Sequence, residues 1–124
     1  MPVPSIKSIL GFEALLFAAA SLVHAGILFS GYEHSRAATA EGVIAAVLVL
    51  GLLACIGVPG RTRLIALVVQ AFALLGTLVG AFTIAVGIGP QTTADKTFHI
   101  ILVVVLVAGL VVIFRSGRVE HGAS

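Results

Sequence analysis

Residues 95–114 read DKTFHIILVVVLVAGLVVIF, and this stretch decides the fold class. Apart from its first five residues it is unbroken by charge until Arg115, which suits a helix that crosses a hydrocarbon core of about 30 Å with roughly 20 mainly apolar residues. Positions 100–107, IILVVVLV, lack the period-two alternation of a membrane-barrel strand, so the run reads as a lipid-embedded helix. Three more stretches of this kind precede it, at about 6–30, 37–58 and 64–88. The connections between them, at about 31–36, 59–63 and 89–94, are too short for anything but antiparallel neighbours. The sequence therefore predicts one all-α transmembrane domain over residues 1–124, an up-down-up-down bundle of four spans with a short polar tail from 115.

Composition supports this from the other side. Of the 124 residues, 60% are hydrophobic and 10% are charged, against roughly 25% charged in a soluble domain. Too few polar residues remain to face water, and disorder is excluded because disordered chains are apolar-poor and charge-rich. The net charge of +2 does not indicate a nucleic-acid partner, since the seven Lys and Arg residues are scattered between apolar segments and form no patch. They follow topology instead. Lys7, Arg61, Arg63, Arg115 and Arg118 fall at one end of the spans and Arg36 and Lys96 at the other. The positive-inside rule then expects both termini in the cytoplasm, with the protein in the inner or plasma membrane if the source is bacterial. Lys7, the apolar run and Ala18-Ala19-Ala20 resemble a signal peptide. Glu13 interrupts that core and the run continues to Phe29, which favours an uncleaved first helix. The lone Cys55 sits in an apolar run and reads as a small packing residue.

Ionisable residues inside the spans carry whatever chemistry the chain has, because each costs about 2.5–3.5 kcal/mol at mid-bilayer on insertion scales and so needs a partner. Glu13 and His24 lie eleven residues apart, which returns a helix to within about 20° of the same face at depths about 16 Å apart. They belong to two layers. The outer layer gathers His24, Glu41 and His99 from three helices, each roughly 6–9 Å below the boundary, with Asp95 one turn from His99 at the rim and Glu33 and His34 in the loop above. Two imidazoles and one or two carboxylates suit a transition metal such as Zn, Cu, Fe or Ni. Two histidines on separate helices also suit the axial positions of haem b, with Arg36 or Lys96 near the propionates. A small lipophilic ligand is a third occupant. The alternative without a ligand is a set of interhelical or interfacial polar contacts, Asp95 complementing the dipole of the fourth helix.

The inner layer pairs Glu13 with Gln70, at similar depth, as a proton relay or a static interhelical hydrogen bond. Four spans with a carboxylate in the first resemble the small multidrug resistance family, whose first-helix glutamate exchanges protons for cationic drugs. That resemblance implies a small proton-coupled transporter using Glu13, although the tryptophan among the family's aromatic positions has no counterpart here. On the third span Ala73, Gly76, Gly80, Thr83 and Gly87 form a small-residue stripe, and Gly76 with Gly80 makes a GxxxG step suited to close helix packing, within the chain or in a homo-oligomer. Polar pairs and a small-residue stripe also suit an accessory or scaffold subunit of a larger membrane complex. No phosphate loop, dinucleotide fingerprint, nucleophile elbow or CxxC pair occurs, so no catalytic residue is assigned.

Overall fold

A computed structural model describes the backbone of residues 3–122 and the side chains of residues 6–117; Arg118 and the rest of the tail's side chains lie outside that range. Four helices run in chain order, α1 (Val3–His24), α2 (Ser35–Gly57), α3 (Thr62–Ala85) and α4 (Thr93–Gly122), with one 3-10 turn at Pro59–Arg61 leading into α3. All four are long and apolar enough to cross a membrane. They pack antiparallel, α1 on α2, α2 on α3 and α3 on α4, while α1 meets α3 and α4 more sparingly and the backbones of α2 and α4 do not approach one another.

The ends of α1 and α3 show how local chemistry overrides hydropathy. Apolar residues continue past His24 to Phe29, yet α1 stops at His24 because Gly26 takes a positive φ of 78°. The Gly26 amide then donates to the Val23 carbonyl and the Ile27 amide to the Leu22 carbonyl, the paired bonds of a Schellman motif. The same device closes α3: Gly87 has φ 88°, its amide donates to Ile84, and the Ile88 amide donates to Thr83. Ile27, Leu28 and Phe29 are consequently an exposed loop and not the last turns of a span. At the other two helix starts, His34 Nδ1 accepts from the Ala37 amide to cap α2, and Thr92 with Asp95 makes a reciprocal capping box for α4. The fourth helix also runs past the expected boundary near 114, since no proline interrupts it and Arg63 of α3 donates from Nη2 to the Phe114 carbonyl at 2.8 Å.

The interior holds Leu10, Phe17, Leu48, Leu102, Leu106 and Ile113, all buried, while side chains such as Leu15, Val68, Phe82 and Val104 face outward more than 60% exposed. Such an apolar exterior belongs in lipid. In that solvent apolar burial drives helix association weakly, so close approach and polar pairs must hold the helices together. Close approach is visible at Gly51, where an added Cβ would come within 2.7 Å of the Val69 side chain on α3. A polar tie is visible between α1 and α2, where Ser21 Oγ donates to the Ala38 carbonyl at 2.6 Å. Cys55 is fully buried, its thiol 3.6 Å from the Thr62 carbonyl, consistent with a packing position.

Candidate functional site

The polar layer that the sequence places on the outer side forms where α1 ends and α2 and α4 begin. His24 is the last helical residue of α1, Glu41 lies two turns into α2, and Asp95 occupies the first turn of α4. His24 Nδ1 lies 2.8 Å from Glu41 Oε1, and His24 Nε2 lies 3.2 Å from Asp95 Oδ1. One imidazole thus bridges two carboxylates on two other helices. Its side chain is 8% exposed and each carboxylate 9%, so water screens little of the attraction. Asp95 has a second task, because its other oxygen accepts from the Thr92 amide and hydroxyl and so fixes both the start of α4 and the orientation of the carboxylate.

His99 belongs to the same level but not to the bridge. Its Nε2–H donates to the Thr77 carbonyl on α3 at 2.8 Å, and the ring stands on Gly80, where an added Cβ would lie 3.0 Å from Cε1. Asp95 and His99 are therefore one turn apart on α4 and serve different neighbours, α1 and α3. Glu33 is not over the cluster either: its carboxylate accepts from the Gly31 amide at 2.9 Å, within its own loop.

These residues surround a cavity of about 290 Å³. His24, Glu41, Asp95 and His99 all line it, with His34 and Arg36 at the end near the loops and Phe17, Ile44 and Leu102 toward the bundle centre. The middle of the small-residue stripe of α3 is part of one wall: Gly76, Gly80 and Thr83, with Thr77, line this space, Gly76 against Ile44 of α2 and Gly80 against His99 of α4. α2 and α4, whose backbones do not approach one another, both line it.

Donor chemistry limits what the layer can hold. Both His24 nitrogens already face carboxylate oxygens, and His99 spends Nε2 on a carbonyl. Among the described residues no three His, Cys, Asp or Glu side chains converge as a metal site.

The inner layer is separate and closed. Glu13 and Gln70 are both fully buried, and Gln70 Nε2 donates to the Glu13 carboxyl. Gly109 of α4 gives the carboxyl its space, since a Cβ there would come within 2.7 Å of Glu13 Oε1. Among the described residues Gln70 Oε1 has no partner. The pair was legible from depth alone, whereas Gly109, an unremarked glycine in an apolar run, becomes informative only once α4 is placed beside it. No family model, curated protein or solved structure matches the chain.

Proposed function

We propose that this four-helix membrane protein is a binding module whose outer cavity takes a small lipophilic molecule with a hydrogen-bond-donating polar end, an amine or a hydroxyl. One observation carries the reading: the only histidine–dicarboxylate cluster among the described residues lies on the wall of an otherwise largely apolar cavity of about 290 Å³, near the lower end of the usual ligand-pocket range of roughly 300–1,000 Å³. Two carboxylates around one imidazole leave an excess of acceptors, which suits a donor head group. The apolar remainder suits a hydrocarbon body. Haem or metal ligation by His24 and His99 is less well supported, because it would require His24 to give up one of its two carboxylates and His99 is held by the Thr77 carbonyl. With both termini cytoplasmic, as the distribution of basic residues favours, the cavity opens in the outer half of the membrane.

The test is thermal unfolding of the protein in detergent with octylamine and octanol, against octanoate and octane as controls. The amine and alcohol are expected to raise Tm in a saturable manner and the controls are not. Ala40→Phe, which fills the cavity from α2, should abolish the shift. Equal shifts with all four compounds, or a shift that survives Ala40→Phe, would refute the assignment.

A further inference from the structure

A second space lies on the lipid side of the bundle, a groove of about 530 Å³ between α3 and α4. Leu78, Ala81 and Ala85 line one bank and Ile100 and Val104 the other, with Lys96 at the loop end. The groove is built by size differences: alanines on α3 leave room beside branched residues on α4, two of which, Ile100 and Val104, are exposed. Only two residues, Ile84 and His99, line both this groove and the outer cavity. His99 and Ile84 form the partition, the His99 ring held by a hydrogen bond to the Thr77 carbonyl and seated on the bare backbone of Gly80.

From these juxtapositions we infer that cavity and groove are two parts of one site for a long single-chain amphiphile. The donor head rests in the cavity by His24, Glu41 and Asp95, and the tail leaves past His99 into the groove. This rests on the reading of the cavity as a ligand site and adds the class of ligand, which must be longer than the cavity itself can hold. The direction is that of a lipid. From the level of His99 to that of Val104 the groove descends about 7.5 Å along α4, at 1.5 Å per residue, away from the loops and toward the bundle centre. A head group at the helix ends and a tail pointing inward reproduce the orientation of the surrounding bilayer. A molecule already dissolved in lipid meets the groove first, and turning one imidazole ring aside opens the way between the two spaces.

The inference predicts how affinity depends on chain length. The probe is octylamine carrying a terminal diazirine, photolysed with the full-length protein in phosphatidylcholine vesicles. Mass spectrometry of crosslinks on residues 37–44 of α2, several of which line the cavity while none lines the groove, reports cavity occupancy. Unlabelled alkylamines from octylamine to octadecylamine compete. Comparing each competitor between wild type and groove-filling variants cancels its partitioning into lipid. In Ala81→Phe, and independently in the exposed Ile100→Trp, octylamine should compete within two-fold of wild type and octadecylamine about ten-fold less well. His99→Ala, which opens the partition, should strengthen octadecylamine at least three-fold relative to its effect on octylamine. If octylamine protects but the variants weaken all chain lengths equally or none, the cavity reading stands and the two-part site is overturned. If octylamine does not protect the wild type, the cavity reading fails and takes this inference with it.

Discussion

Replacing His24 by leucine is the most informative single perturbation, because the bridge makes its consequence calculable. The imidazole is the sole described group that touches both Glu41 and Asp95, at 2.8 and 3.2 Å, with about nine-tenths of each side chain out of solvent. Leucine of similar volume keeps the packing but leaves two carboxylates facing each other across an apolar side chain. Removing one partner of a buried ion pair costs about 3–5 kcal/mol. The position of the cluster at the helix ends lets the stranded carboxylates relax toward water, and the capping bonds from Thr92 keep Asp95 partly satisfied, so the lower end, about 3 kcal/mol, is expected. The loss should be mostly repaired by a second change. In His24→Leu/Glu41→Leu the buried α2 carboxylate is gone, Asp95 retains its cap, and the double variant should recover at least half of the single variant's loss. Reversible unfolding in mixed micelles of dodecyl maltoside and sodium dodecyl sulfate measures both. A His24→Leu loss below about 1 kcal/mol would place the cluster in the class of weak, water-screened surface pairs and refute the argument from burial. A double variant less stable than the single would refute the claim that stranded charge, not lost packing, is the cause.

Other sites give independent expectations, read by the same unfolding assay. Gly109→Ala drives a methyl group to within 2.7 Å of Glu13 Oε1 and should cost about 1–3 kcal/mol as overpacking; the penalty should shrink in a Glu13→Ala background, where the space is vacated, and an undiminished penalty would locate the strain elsewhere. Gly51→Val should separate α2 from α3 and cost about 3 kcal/mol or more, because the Val69 side chain lies within 2.7 Å of the first added carbon; a neutral variant would show that the two helices do not approach as described. Gly26→Ala should cost about 1–2 kcal/mol, since alanine must adopt φ near 78° and its Cβ meets the Glu33 side chain at 2.8 Å, and hydrogen exchange should rise first in the loop that follows α1.

Much of this architecture was legible in the sequence because lipid imposes a simple rule on long apolar runs. The four spans and their antiparallel order followed from run length and linker length, and the Glu13–Gln70 pair followed from counting depth at 1.5 Å per residue. Helix ends were less legible, because hydropathy reports what lipid tolerates and backbone geometry decides where a helix stops. The Ala25-Gly26-Ile27 and Val86-Gly87-Ile88 sequences carry the stop signal for α1 and α3, a glycine followed by an apolar residue, and they moved the outer layer from below the boundary to the very end of α1.

What depth counting cannot supply is rotation. His24, Glu41, Asp95 and His99 share a level, but which of them touch depends on the angle at which each helix faces its neighbour, and that angle is set by contacts such as Gly80 with His99 and Gly76 with Ile44. The small-residue stripe on α3 illustrates the point. In sequence it suits close packing of backbones, and in the bundle it accommodates an imidazole at Gly80 and an isoleucine at Gly76, while Gly76, Gly80 and Thr83 also line the cavity. Small residues in a membrane helix create space, and the neighbours determine whether that space is filled by backbone, by side chain or by neither. In this bundle α2 and α4 stand apart over α3, so part of the space stays open, directly beside the His24–Glu41–Asp95 cluster. The same glycines that let the helices pack therefore also shape the site, and a variant such as Gly76→Leu would alter both together. Ala40→Phe acts from the opposite wall and leaves the packing of α3 untouched, which makes it the cleaner probe of what the cavity holds.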